Sequence, residues 1–108
     1  MTQKEVYEII KSAGFPTAYH HFEEGEAPEA PFVVYLLPSS NNFAADNSVF
    51  AHIQNLHVEL YTDKKDLDAE TRMEKVLDRI GFWQKSETWI ASEKLYEILY
   101  ELEVIINV

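Results

Sequence analysis

Residues 52–81 read HIQNLHVELYTDKKDLDAETRMEKVLDRIG, and they hold the clearest pattern of the chain. Leu56, Val58 and Leu60 alternate with residues that are polar or tyrosine. A period of two is typical of a strand whose one face is covered while the other face meets water. The stretch therefore begins with a half-buried strand whose register is fixed by its pattern.

A helix is expected to follow this strand after a charged turn. Residues 62–66 carry no apolar side chain, and Asp66 or Asp68 is placed to accept from the free N–H groups that open a helix. From Leu67 onward, one helical stripe carries the apolar residues Met73, Val76, Leu77 and Ile80. Gly81 is the expected left-handed residue at the helix end, because glycine adopts that conformation without strain. The pattern predicts a sheet covered by this helix.

A further helix is expected at the N-terminus. Thr2 and Glu5 form a capping-box pattern, and an apolar stripe follows it as far as Gly14. Residues 17–30 are rich in turn-forming and acidic residues, which predicts an exposed connection. Its acidic residues are Glu23, Glu24, Glu26 and Glu29.

Residues 32–37 form a continuous apolar run between Pro31 and Pro38. Their β-branched and aromatic content predicts a strand with both faces covered, and prolines are best tolerated at strand ends. Residues 39–51 then form a long loop for a compact domain. Its apolar residues Phe43, Val49 and Phe50 leave two roles open: the loop folds back over its own sheet, or it reaches a neighbouring subunit.

The C-terminal part of the chain is expected to be a hairpin. Residues 82–90 have the composition of a strand, with Trp83 and Trp89 as large packing groups. Residues 93–108 fit a helix at one spacing and a strand at another, and their aromatic and β-branched content favours the strand. The whole chain is then a single α+β domain over residues 1–108. We expect a two-layer sandwich in the order α-β-β-α-β-β, with a four-stranded, mostly antiparallel sheet and the helices on one face.

Composition and charge limit the function. The chain has 108 residues and no cysteine, so disulfides and zinc–thiolate sites are excluded. No stretch has the length and apolarity of a secretion signal or a membrane span, which predicts a soluble cytoplasmic protein without membrane contact. The formal net charge of −10 argues against sequence-specific nucleic-acid binding, because phosphates are repelled. Such a charge is typical of ordinary solubility, and an acidic surface that lines a passage through which DNA slides is the alternative.

The side chains that bear chemistry form no recognised catalytic or metal motif. Adjacent His20 and His21 are expected to point to opposite sides of an extended chain, as are His52 and His57, which lie an odd number of residues apart. The cluster Asp63, Asp66 and Asp68 lacks the turn glycine and closing glutamate of a calcium loop. We therefore expect no catalytic residue, no cofactor and no metal, and we expect that the protein is not an enzyme.

Surface for association remains. The sequence holds more aromatic residues than one sheet face of a small domain needs, and exposed aromatic surface tends to mark interfaces. They are Tyr61, Trp83, Trp89, Tyr96 and Tyr100. Packing in the core is the alternative for most of them. A four-stranded sheet would also leave two open edges, which identical subunits can use for pairing.

Three strings in this order of elements resemble the tail-completion, or head-to-tail joining, proteins of long-tailed phages and prophages. They are residues 57–66 (HVELYTDKKD), the helix 69–80 followed by Gly81 and Phe82, and residues 93–104 (EKLYEILYELEV). The resemblance covers residues 31–108 and an N-terminal helix in the expected place. It rests on a pattern of elements rather than on a catalytic motif, so it transfers no site residue.

The resemblance implies a structural protein that closes into a homohexameric ring at the head-proximal end of the tail tube. Such a ring ends tube growth and joins the tail to the head connector, so the partners are the chain itself, the tail-tube protein and the connector proteins. It implies a place in the host cytoplasm during assembly and then in the neck region of the virion. It also implies that residues 93–108 are a strand.

Two hypotheses about details follow from the resemblance. The loop 39–51 would supply an interface or a lumen loop, in which case deleting residues 41–47 would change oligomerisation or tail assembly. Acidic residues would line the channel so that DNA passes without adsorbing. The candidates are Glu59, Glu97, Glu101 and Glu103. The alternative function is a small acidic cytoplasmic binding module, such as a DNA-mimic inhibitor; a small enzyme whose acids or histidines meet only in the fold comes third.

Overall fold

The computed structural model of the chain describes residues 1–40 and 51–107. The helices are α1 (Gln3–Lys11) and α2 (Leu67–Leu77), and the strands are β1 (Thr17–Tyr19), β2 (Phe32–Ser40), β3 (Ala51–Thr62), β4 (Trp83–Ile90) and β5 (Leu95–Asn107). Most of the loop predicted over residues 39–51 lies outside the described residues. Neither described helix is long and apolar enough to cross a membrane.

The predicted order α-β-β-α-β-β and the predicted four-stranded, mostly antiparallel sheet are wrong. The sheet has five strands in the order β1-β2-β3-β5-β4, and it is mixed because β1 runs parallel to β2. The additional strand lies inside the segment that was predicted to be an exposed connection. Val33 N–H donates to Pro16 O at 2.8 Å and His20 N–H donates to Tyr35 O at 2.7 Å, so the partner strand supplies the ladder. A three-residue strand has no periodicity of its own, which is why the sequence pattern did not predict it.

The β3–β5 pair is the centre of the sheet. Its antiparallel register runs from Ala51 opposite Asn107 to Thr62 opposite Tyr96. The strand interpretation of the C-terminal segment is therefore correct for Leu95–Asn107. On the other side β3 pairs with β2, whose register shifts between Leu36 and Ser39 around Pro38. A bulge at a proline, which has no N–H to donate, lets β2 continue to Ser40 instead of ending before Pro38.

One face of this sheet, called the covered face below, carries α1 and α2. The strand side chains on this face are buried with those of the helices in a single core. Every second side chain of β3 and β5 points to this face, because successive side chains of a strand alternate between the two faces. The strands contribute Val33, Tyr35, Leu56, Val58, Leu60, Ile98, Tyr100 and Leu102, and the helices contribute Val6, Ile10, Ala69, Met73, Val76 and Leu77. Leu60 and Met73 are fully buried. The core thus joins both layers of the domain.

The helix starts follow the sequence prediction, and one helix end does not. Thr2 and Glu5 form the predicted capping box, and Asp66 accepts from Ala69 N–H at 3.0 Å. The prediction for Gly81 is wrong, since the glycines with a positive φ are Gly14 and Gly25. α2 instead ends at Leu77, and Gly81 N–H donates back to its carbonyl at 3.1 Å.

An ion network around one buried glutamate ties α2 to β4. The Glu70 side chain is almost fully buried, and its carboxylate lies 2.8 Å from Lys65 Nζ and 3.1 Å from Lys85 Nζ. Lys85 Nζ also donates to Glu74 Oε2 at 2.9 Å, and the Tyr100 hydroxyl donates to the same oxygen at 2.7 Å. Burial favours a raised pKa for the Glu70 carboxyl, but the two lysines outweigh it and hold that pKa below its ordinary value.

The fold predicts a sharp difference between two leucines. Leu60→Ala removes a fully buried side chain from the centre of the core and should lower the free energy of unfolding by about 2–5 kcal/mol. Leu67→Ala makes the same chemical change at a side chain that is 66% exposed, and it should change the free energy by about 0.5 kcal/mol or less. Urea unfolding followed by circular dichroism measures both. Equal losses in the two variants would contradict the assigned register of β3.

Candidate interaction surface

The second face of the sheet, called the open face, is defined by the strand register. Residues directly opposite each other share a face, so the open face follows from the pairs Tyr61–Glu97, His57–Glu101 and Asn55–Glu103. No helix of the described chain lies on it. Its members are Phe32, Val34, Leu36 and Ser39 of β2, Ile53, Asn55, His57, Glu59 and Tyr61 of β3, Glu97, Leu99, Glu101, Glu103 and Ile105 of β5, and Gln84, Ser86 and Thr88 of β4.

The four glutamates proposed from the sequence as channel residues lie on this same face. Glu97, Glu101 and Glu103 lie on β5 at even spacing, so they project from one side of the strand. Glu59 lies on the neighbouring strand, opposite Leu99 of that same row. The sequence alone does not show that these residues share a face, because the register between β3 and β5 is a property of the fold. The open face therefore carries four glutamates on its two central strands, interspersed with apolar residues such as Leu99 and Ile105.

The first part of the open face is a cluster of Glu59, Tyr61 and Glu97. The Tyr61 hydroxyl lies 3.1 Å from Glu59 Oε2 and 3.0 Å from Glu97 Oε2, although it has only one proton to donate. The ring of Phe32 stacks on Tyr61 with centroids 5.0 Å apart. Burial raises the pKa of the Glu59 carboxyl, and the charge of Glu97 raises it further. Burial, followed by the charge of Glu59, also raises the pKa of Tyr61. The cluster therefore favours the protonated form of Glu59 more than an exposed position would.

The second part of the open face is an open pocket of about 680 Å³. His57 Nε2 lies 3.8 Å from Glu101 Oε2 on its floor, and Phe82 at its rim is fully exposed. Ser39 lies in the same pocket, but its hydroxyl accepts from Asn55 Nδ2 at 2.6 Å rather than facing an imidazole. The described pocket thus holds an imidazole–carboxylate pair without a hydroxyl positioned between them for nucleophilic catalysis.

The histidines lie partly where the sequence predicted them. The prediction that His20 and His21 point apart is wrong, since their Nδ1 atoms are 3.0 Å apart. His20 has a φ of 69°, so the chain is not extended there and the alternation of an extended strand does not apply. His52 and His57 do lie on opposite faces of β3, because His52 is opposite Ile106 of the covered face. Within residues 1–40 and 51–107, no three His, Asp or Glu side chains are grouped to hold a metal ion.

The acidic cluster at the start of α2 has a structural role. Asp66 is the N-cap of the helix, and Asp68 lies in its first turn, where a negative charge is favourable. The other acidic segment, residues 23–29, is exposed around Gly25 and belongs to no helix or strand.

The aromatic residues divide between core and surface. Tyr100 is fully buried on the covered face, and Trp83 packs edge-on against it at 5.4 Å. Trp89 is 47% exposed, and its ring centroid lies 4.7 Å from that of Tyr96. The sequence placed Phe82 at the start of the strand 82–90, but β4 begins at Trp83 and Phe82 is fully exposed before it. Its full exposure makes it the clearest apolar contact residue of the described surface.

The proton balance of the open face predicts a stabilising substitution. Folding raises the pKa of Glu59, so the ionised carboxylate lowers the free energy of unfolding. This loss of stability is absent at a pH well below the ordinary pKa of 4.5, where the group is protonated in both states. It is complete at a pH above the raised pKa of the folded protein. Glu59→Gln should therefore raise the free energy of unfolding at pH 7 by about 0.2–1 kcal/mol and should give no gain near pH 3.5. Thermal unfolding across this pH range is the measurement. Glu101→Gln, on the same face but exposed, is the control without a gain, and a destabilised Glu59→Gln protein at pH 7 would contradict the account.

No protein-family model matches this chain, and no curated protein matches it. The geometry of the open face, together with the pattern of elements described above, is therefore the basis for a functional proposal.

Proposed function

We propose that this protein is a structural subunit of a phage or prophage tail. It forms a homohexameric ring at the head-proximal end of the tail tube, ends growth of the tube and joins the tail to the head connector. Its partners are copies of itself, the tail-tube protein and the connector proteins. It works in the host cytoplasm during assembly and then in the neck region of the virion.

The acidic open face is the observation that carries this proposal. Glu59, Glu97, Glu101 and Glu103 lie together on a sheet face that no described helix covers. A ring through which DNA passes needs an inner wall that does not hold phosphates, and a wall of carboxylates repels them. Placing this face toward the channel gives it that role. The helix layer on the opposite face then points away from the DNA.

The shape of the subunit is also suited to association. The described sheet ends in the short strand β1 on one side and in β4 on the other, so its two ends are different surfaces. Contacts between unlike surfaces of identical subunits generate rings when the rotation closes. The proposal needs only such surfaces, and it assigns no reacting group to any residue.

The alternative of a DNA-mimic inhibitor is favoured by the same carboxylates. Glu101 and Glu103 are two residues apart on a strand, which separates them by about 6.8 Å along the chain. A regular row of negative charges is what a nucleic-acid enzyme meets in a phosphate backbone. A mimic acts as a monomer or dimer, whereas a ring subunit assembles further, so the two functions differ in a measurable property.

The oligomeric state tests the proposal directly. Sedimentation velocity of the purified chain should show a mass that rises with concentration toward six copies. Addition of purified tail-tube protein should shift the equilibrium further toward the ring. A chain that stays monomeric at every concentration with and without tube protein, and that competes with DNA for a nucleic-acid enzyme, would contradict the ring and favour the mimic.

Charge reversal tests the role of the open face separately. The double variant Glu101→Lys/Glu103→Lys should still assemble, but its ring should retain double-stranded DNA in a salt-dependent manner, because cations now line the passage. A gel-shift titration at several salt concentrations measures retention. The control Glu8→Lys/Glu93→Lys makes the same change in net charge at exposed positions outside the open face. Equal DNA retention by both variants would contradict a channel position for this face.

A further inference from the structure

A shallow groove lies between the end of α1 and the outer side of α2. It has a volume of about 410 Å³ and is lined by Ser12, Ala13, Arg72, Lys75, Val76 and Arg79. Ala13 and Val76 are buried and form an apolar floor. The three cationic side chains surround that floor. We name this feature the α1–α2 groove.

The positive charge of the groove is unusual for this chain. Arg72 and Arg79 are the only arginines of a sequence whose net charge is −10, and both line the groove. Arg72 is held in place, since Nη2 donates to Ala13 O at 2.8 Å and the guanidinium lies 4.2 Å from the Phe15 ring centroid. Lys75 and Arg79 are exposed and form no ion pair with any residue in the described part of the chain. The groove therefore suits an anionic occupant.

The same chain carries a segment with the complementary charge. Residues 23–29 (EEGEAPE), here named the acidic loop, hold four glutamates and no basic residue. All four glutamates are exposed, and Glu26 N–H donates to Glu23 O at 2.9 Å in a turn that contains Gly25. Glu24, Glu26 and Glu29 have no ion-pair partner among the residues that the structure describes. The groove and the acidic loop are thus complementary surfaces that do not meet within one copy.

We propose that the α1–α2 groove binds the acidic loop of a second copy of this chain. The inference rests on the proposed ring and specifies one of its contacts. Because the groove and the loop are different surfaces, each copy has one of each, and the contact passes from copy to copy around the ring. Carboxylates of the loop pair with Lys75 and Arg79, while Ala27 and Pro28 face the apolar floor. The open face stays free for the channel.

A charge exchange between two variants tests the contact. The loop variant Glu24→Lys/Glu26→Lys and the groove variant Lys75→Glu/Arg79→Glu each place like charges on both surfaces. Each should lose self-association at least tenfold by sedimentation velocity. An equimolar mixture should assemble again, because the changed loop fits the changed groove and the unchanged loop fits the unchanged groove. Copies of the two variants then alternate around the ring.

Matched controls separate the contact from net charge. Glu8→Lys/Glu93→Lys changes the total charge as the loop variant does, and Lys4→Glu/Lys64→Glu changes it as the groove variant does. These controls should assemble as the unchanged protein does. Far-ultraviolet circular dichroism confirms that every variant is folded before its mass is compared.

A disulfide test detects the contact even when assembly is weak. The chain has no cysteine, so introduced thiols report only on each other. Oxidation of Ala27→Cys mixed with Ser12→Cys should give a disulfide between the two copies, identified by mass spectrometry. The same mixture with Ser92→Cys in place of Ser12→Cys is the control, because Ser92 lies in the turn between β4 and β5.

The outcomes distinguish this inference from the proposed ring. If the unchanged protein forms the ring while the loop and groove variants assemble equally well and no disulfide forms, the loop–groove contact is wrong and the ring stands. If the disulfide forms and the charge exchange restores association but the mass stops short of a ring, the contact stands and the ring is wrong. If the unchanged protein stays monomeric and neither test gives association, both are wrong.

Discussion

The antiparallel pairing of β3 with β5 is the constraint on which the rest of the structure depends. Side chains alternate between the two faces of a strand, so a shift of one residue would exchange every residue between the faces. The observed register places Val58 opposite Tyr100 in the core and His57 opposite Glu101 on the open face. A register shifted by an odd number of residues would bury carboxylates under the helices. The separation of an apolar face from a more polar one therefore excludes shifts by an odd number of residues.

The two faces consequently differ in composition and burial. The covered face supplies stability through a core shared by both helices and the central strands. The ion network of Glu70, Lys65 and Lys85 adds a tie between α2 and β4. Lys85 and Glu87 lie on the covered face of β4, and inward-pointing charges of this kind discourage an edge strand from pairing with another chain. Contacts with other molecules are therefore favoured at the open face and at exposed side chains such as Phe82.

The sequence predicted those parts of the fold that local chemistry determines. The alternation of apolar and polar residues predicted β3, and the spacing of Met73 and Leu77 predicted α2. The capping residues Thr2 and Asp66 predicted where the two helices start. It failed where the structure depends on partners distant in the chain. β1 exists because its three residues pair with β2, and the close approach of His20 to His21 depends on a left-handed residue.

The candidate site shows the same division. The sequence named the four glutamates, but their position on one face required the register of two strands that are separated by a helix and a third strand. The exposure of Phe82 and the α1–α2 groove were not predicted, because each depends on surfaces that several elements build together. Patterns within one segment determine secondary structure well, whereas a surface assembled from several segments follows only from the tertiary fold.

We propose that this chain works by contact, with its acidic sheet face toward a channel and its helix layer away from it. Electron cryomicroscopy of the chain assembled with tail-tube protein tests this most directly, because a reconstruction resolves which face of each subunit lies at the axis. The account predicts a closed ring with Glu59, Glu97, Glu101 and Glu103 at the wall of the central passage. A ring with α1 and α2 at that wall, or an assembly in which the open face is buried between subunits, would contradict it.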